Sequence, residues 1–383
     1  MRALAITRRA LFVGGTSALL GACAVIPKGA SPGKPVEAGP APAPTQSGLP
    51  SDEERHRIAL LVPMSGSNGA VGQSISNAST MALLDTNASN MRITTYDTAT
   101  GARNAAQKAL ADGNELILGP LMGDNVAQVL SVARPANVTV ISFSNDTKAS
   151  ANGAYLMGQM PEQSIARSVG YARSQGAQSF AILAPEGEYG SRAAAALRDA
   201  VARQGGQLAG SETYSRSNTS VVSAARRLKG RGGFDSVLLA DSPRLAAQGA
   251  AELRGENIRL IGTELWSGDS AVARSNALSG AIFSAVADGR YKRFADSYSA
   301  RFGGSPYRIS TLGYDAVLLT LNIARDWKPG REFPVDKLRD SGGFLGLDGA
   351  FRFRNDGVVE RAMEVRKVQN GAVVVAEKAP SRF

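Results

Sequence analysis

From residue 57 onward, short runs of aliphatic and β-branched residues alternate with alanine-rich stretches of helical length, and the alternation occurs twice. The first round reads RIALLVP (strand), VGQSISNASTMALLDTN (helix), MRITTYD (strand), ARNAAQKALADG (helix), ELILGP (strand), NVAQVLSVARPAN (helix) and VTVISFS (strand). The second reads EQSIARSVGYARSQG (helix), SFAILAP (strand), GSRAAAALRDAVARQGG (helix), QLAGSETY (strand), VVSAARRLKGRG (helix), then DSVLLAD and RLIGTEL (strands). Such alternation predicts parallel sheets flanked by helices. About 330 residues exceed what one core takes up, so two α/β lobes are expected. Two helices, YKRFADSYSARFGG and TLGYDAVLLTLNIARDW, and a β-rich tail with turns at Gly357 and Asn370-Gly371 complete the chain.

What precedes this rhythm has a different character. Arg2, Arg8 and Arg9 are followed by the uncharged run Ala10 to Ala22, too short for the roughly 20 apolar residues of a spanning helix, which predicts a secretion signal over residues 1–22. The single cysteine, Cys23, follows Gly21 and Ala22, and "LGAC" resembles the bacterial lipobox, in which the cysteine takes a diacylglyceryl group. Lipidation of Cys23 and a membrane anchor are the expectation, with Ala24 pointing to the outer membrane. "TRRALF" suits an ordinary signal or a twin-arginine one. Residues 23–55, rich in proline, glycine, alanine and serine up to about Pro50, are expected to be a tether, because so few apolar side chains cannot offset ordering entropy.

Charge and composition narrow the chemistry. The formal charge is +10, and loss of residues 1–22 takes away three arginines and leaves +7. In an exported chain, that surface suits anionic lipid, cell-wall polyanions or an acidic protein. The basic runs RRLKGRGG and GRYKRF lack the motif context of nucleic-acid modules, so no nucleic acid is expected. One cysteine forms no internal disulfide, and the one histidine, His56, cannot assemble a zinc site or, without a nucleophile elbow, a hydrolytic triad. No phosphate-binding glycine loop is present, and no metal, cofactor or catalytic group is expected.

In parallel α/β sheets, ligands sit beyond the carboxyl ends of the strands. The loops there are PMSGSNGAVG with Ser65 and Ser67, GPLMGDN with Gly123 and Asp124, SFSNDT with Ser144 and Asn145, PEGEYG with Tyr189, and GTELWSG with Glu264. These eight residues are the candidate cleft positions. Each loop carries helix-capping types that also bind small polar ligands.

Taken in order, five pieces resemble the type I periplasmic binding proteins, the family of the leucine-binding protein, over about Ile58 to Val375. They are LLVPMSGSNGAVG, LILGPLMGDNVAQVLSVARPANVTVISFSN, FAILAPEGEYGSRAAAALRDAVARQGGQLAGSETY, SYSARFGGSPYRISTLGYDAVLL and GLDGAFRFRNDG. The resemblance implies two lobes joined by three crossovers and closing like jaws, with residues 56–160 and 288–345 in one and 161–287 and 346–383 in the other. It implies a ligand-stacking role for Tyr189, a carboxylate for a ligand ammonium at Glu264, and ligand-backbone contacts at Ser144 and Asn145. Where amino-acid binders place serines, this chain has Leu121, Met122, Gly123 and Asp124, and an inward aspartate would repel a carboxylate. Gly119 to Val126 and Met160 to Gly176 also resemble the penicillin-binding protein activators, lipoproteins that stimulate a bifunctional peptidoglycan synthase. Two partners are therefore implied: such a synthase, or an ABC permease served by a carrier of a small polar ligand.

Overall fold

The computed structural model describes residues 54–150, 153–218, 220–253, 257–380 and 383. The expected signal peptide, Cys23 and the tether as far as residue 53 lie outside the described residues.

The first lobe opens with β1 (His56–Val62), α1 (Gly69–Asp85), β2 (Met91–Asp97), α2 (Ala102–Ala111), β3 (Leu116–Leu118), α3 (Gly123–Ala133), β4 (Thr139–Ser142) and β5 (Ala154–Leu156). The strands pair parallel in the order β2-β1-β3-β4-β5. Side chains alternate across a strand, so the unbroken apolar run of β1 must feed two cores. Ile58, Leu60 and Val62 enter one, shared with Ile75 of α1, while Ala59 and Leu61 enter the other, shared with Ala106 of α2 and Val126 of α3.

The second lobe follows the same rule. Its elements are α4 (Pro161–Ser174), β6 (Ser179–Pro185), α5 (Glu188–Arg203), β7 (Gln207–Tyr214), α6 (Ser220–Arg231), β8 (Ser236–Leu239), α7 (Pro243–Leu253), β9 (Arg259–Ile261), α8 (Ser270–Arg274) and β10 (Ile282–Val286). Along β6, Ala181 and Leu183 pack with Val221 and Leu245 on one side, while Phe180 and Ile182 pack with Ile165 and Leu197 on the other. Each lobe has a joint in which a proline stands at or just after the end of the first strand and a helical glycine closes onto it. A Cβ at Gly72 would lie 1.7 Å from the Pro63 carbonyl oxygen, and one at Gly190 would lie 1.8 Å from that of Pro185. Only glycine lets helix and strand approach so closely.

The chain then returns to the first lobe as α9 (Tyr291–Phe302), α10 (Thr311–Ile323) and a small antiparallel sheet of β11 (Phe344–Gly346), β12 (Gly349–Phe353) and β13 (Val359–Arg361). Finally β14 (Met363–Gln369) and β15 (Ala372–Glu377) join the second sheet antiparallel, giving the order β15-β14-β10-β9-β8-β6-β7. Asn370 and Gly371 both take positive φ, the two-residue turn their sequence predicts. Three passages join the lobes, at 157–160, 287–290 and Ala362.

One expected boundary needs correcting. Phe351, Phe353, Val358 and Val359 pack in the same core as Ile58 and Leu312. Residues 349–361 thus belong with the first sheet, and the last passage falls at 362 rather than at 345. Their phenylalanines are the reason, since edge-to-face contact of Tyr155 with Phe353 at 5.2 Å ties this sheet to β5. Strands β5 and β10 and helix α7 were not among the elements expected from sequence.

Candidate functional site

The carboxyl ends of both parallel sheets face one cleft, and a cavity of about 340 Å³ lies in it. Gly123, Asp124, Ser144, Asn145 and Asp146 line it from the first lobe, and Glu188 and Arg192 from the second. Four of the eight candidate residues therefore meet there. The loop after β4 is held by its own serines: the Ser142 hydroxyl donates to the Pro120 carbonyl at 2.8 Å and accepts from Ser144 N, and the Ser144 hydroxyl accepts from Asp146 N at 3.0 Å.

Ser65 and Ser67 stand apart from this cavity. The Met64 N–H, donating to Asp97 at 2.8 Å, holds that carboxyl below the ordinary range, and Ser65 Oγ donates to it as well at 2.8 Å. Ser67 is exposed in a turn of 3-10 helix at Gly66–Asn68.

Tyr189 and Glu264, in the second lobe, are not among the residues lining this cavity, and they bond to each other. The Tyr189 hydroxyl lies 2.9 Å from Thr263 Oγ1 and 3.0 Å from Glu264 Oε1. Glu264 is 7% exposed, and its Oε2 has no hydrogen-bond partner. Burial pushes its carboxyl up to about 7, against the pull of the Tyr189 bond. Arg216 lies over the Tyr189 ring at 5.9 Å and is fixed by Asp241 at 2.9 Å.

Arg192, absent from the sequence candidates, is the residue that spans the cleft. Three places beyond Tyr189 on α5, it sits on the same helix face. Its Nη2 donates to the Asn145 carbonyl oxygen at 2.5 Å, and its Nε and Nη2 hold Glu162 of α4 at 3.0 and 3.1 Å. Arg192 is paired to Glu162, and the carboxylates of Asp124, Asp146 and Glu188 also line the cavity.

Behind the cleft, ion pairs run through the passages between the lobes. Asp348 accepts from Arg308 at 2.8 Å, from Thr311 at 2.8 Å and from Gln159 at 3.1 Å. Arg308 reaches on to Asp288 at 3.2 Å, and Asp288 in turn holds Arg366 of β14. Asp315 takes the Leu347 and Asp348 N–H groups, and burial beside Asp348 raises its carboxyl well above the usual range. His56, the one imidazole, is buried against Trp327 with ring centroids 3.8 Å apart, outside the cleft lining.

Two parallel-sheet lobes, three passages and a cleft at the strand ends define a two-lobed binding protein of type I architecture. The chain belongs to the periplasmic binding protein family, whose model matches residues 56–372. Membership implies a place in the periplasm or cell envelope. In backbone the chain is similar to an ABC transporter substrate-binding protein from Sphaerobacter thermophilus (TM-score 0.72, 19% identity, 86% of this chain and 99% of that one). It is also similar to a leucine-binding protein from Thermotoga maritima (TM-score 0.65, 19% identity, 85% and 99%). By sequence, it is 21% identical to an uncharacterized protein of Rickettsia prowazekii over 84% of this chain and 88% of that one. It is 24% identical to the penicillin-binding protein activator LpoA of Glaesserella parasuis over 83% of this chain. The chain spans 54% of that activator's length.

Proposed function

We propose that this protein is a non-enzymatic envelope lipoprotein that activates a bifunctional peptidoglycan synthase by direct contact. The observation that carries the reading is the state of the cleft. Groups that would grip an amino acid are engaged within the chain: Tyr189 with Glu264, and Arg192 with Asn145 and Glu162. The carboxylates left at the cavity oppose a ligand carboxylate, and the loop from Leu121 to Asp124 offers no serine to bind one. The similarity to the activator of Glaesserella parasuis supports a synthase as the partner class.

Purified protein added to synthases of the same organism should raise glycan polymerisation and cross-linking while hydrolysing no peptidoglycan itself. Association aided by the positive charge should weaken as salt rises. If no synthase responds and pull-downs from membranes recover a permease, the activator reading is wrong. Anchoring rests on Cys23: Cys23→Ser should shift the protein out of the outer-membrane fraction, and unchanged fractionation would remove the lipoprotein reading.

A second reading, a carrier serving an ABC importer, is favoured by one feature, the unpartnered Oε2 of buried Glu264. An ammonium group would satisfy it. Calorimetry with a panel of amino acids and amines tests this, with heat that disappears in Glu264→Gln as the supporting result.

A further inference from the structure

A second concavity of about 360 Å³, within the roughly 300–1,000 Å³ range of ligand pockets, lies on the first lobe and shares no residue with the cleft. Its apolar lining is Met81 of α1, Phe294 of α9, Tyr314 of α10 and Leu347. Phe294 and Tyr314 meet edge-on at 5.8 Å, and Phe294 packs with Ala78, Met81 and Tyr298 in a small core of its own. Leu84 and Leu345, near neighbours of the lining along the chain, are 62% and 66% exposed.

The charges around it do not balance. Asp85 is already paired with Arg301 at 2.6 Å, and it accepts from the Tyr314 hydroxyl at 3.1 Å. Arg290 donates to the Gly346 carbonyl at 2.6 Å, a neutral partner, and Arg293 has no polar partner among the described residues. Two guanidiniums therefore flank an aromatic floor, and the one carboxylate in the lining, Asp85, is engaged by Arg301 rather than by either of them. This is the basic run GRYKRF of the sequence, and the third cation of that run, Lys292, is paired with Asp296.

We infer that this groove docks an acidic, apolar segment of a protein partner, with a leucine- or phenylalanine-sized side chain on the floor and flanking carboxylates on Arg290 and Arg293. Charge complementarity selects the occupant: the apolar floor gives a free phosphate nothing to cover, and the uncompensated arginines disfavour a neutral peptide. Fixed aromatic surface beside arginine is the composition that carries binding energy at protein interfaces. The inference deepens the activator reading and rests on it for the identity of the partner.

The test uses the full chain and a fluorescein-labelled hexapeptide of sequence Asp-Asp-Leu-Phe-Asp-Asp, followed by anisotropy. Saturable binding should weaken at least about tenfold in Arg293→Glu, and it should disappear in Ser297→Trp, which fills the groove. Arg293→Glu should melt as the parent does, since Arg293 is exposed and makes no bond, and its loss of binding therefore reads the groove without a change of fold. Binding should fall with salt, and a peptide with lysines for aspartates should not bind. Equal binding by parent and both variants overturns the inference. So does a parent that ignores the peptide but binds phosphatidylglycerol vesicles through Arg293. In the synthase assay, a parent that stimulates and an Arg293→Glu variant that stimulates equally would sink the groove and leave the activator reading intact. A parent that binds the peptide in the Arg293-dependent way yet stimulates no synthase would do the reverse.

Discussion

Arg192 of the second lobe donates to the backbone oxygen of Asn145 in the first at 2.5 Å, and the same guanidinium holds Glu162. The cleft is bridged by the chain itself. Arg192→Ala removes that bridge and should raise the radius of gyration in small-angle scattering, with a loss of about 1.5–3 kcal/mol in denaturant unfolding, the range for a hydrogen bond to a charged group. An unchanged scattering profile would mean that the hinge, not this contact, sets the separation of the lobes.

Glu264 makes stability depend on pH with a definite sign. Its carboxyl is pushed from 4.5 up to about 7 by burial, with Glu162 adding to the rise and Arg192 opposing it. A raised folded-state value means stability that is complete below about 4.5 and is lost as pH rises through about 7. Glu264→Gln lacks this fall, so its stability relative to the parent should improve by about 3 kcal/mol between about pH 4 and pH 8. Asp315 slopes the same way in both proteins, which is why the difference is the quantity to measure. Parallel curves would show that Glu264 is more hydrated than its burial indicates.

Arg308 ties Asp348, which is 1% exposed, to Asp288 in the second passage between the lobes. Arg308→Met leaves Asp348 buried without that cation and should cost about 3–5 kcal/mol, as breaking a buried pair does. Arg308→Lys keeps the charge but cannot reach both carboxylates, and should cost less. Urea unfolding of the two variants checks the order.

Gly190 has no room for a side chain, since a Cβ there would meet the Pro185 carbonyl oxygen at 1.8 Å. Gly190→Ala must shift α5 against β6 and should destabilise by about 1–3 kcal/mol or more. The shift would also displace Tyr189 and Arg192, so thermal melting and scattering should change together. A control at Gly230, where nothing lies within 4 Å, should be nearly silent.

Several features could be read directly from the order of residues. Strands with unbroken apolar runs, such as LILGP and SFAILAP, required helices on both faces, and the two rounds of alternation required two lobes. The Asn370-Gly371 turn was legible for the same local reason, because backbone conformation at positive φ depends on the residue itself. Strand β5 escaped because three residues, Ala154–Leu156, carry no periodicity to detect. The loops at the cleft could be placed because every parallel strand must end in one, and Gly123, Asp124, Ser144 and Asn145 line the cavity.

What each loop residue does there was decided only by tertiary structure. That Glu264 bonds a tyrosine, that Ser65 is tied to Asp97, and that residues 349–361 pack with the first sheet depend on groups far away in sequence. Arg192 shows the difference most plainly. Sequence placed it on a helix one turn beyond Tyr189, which local periodicity suffices to do. Its role as the bridge to Asn145 comes from two lobes brought face to face, because a hydrogen bond is made or lost over a few tenths of an ångström and nothing local sets that distance.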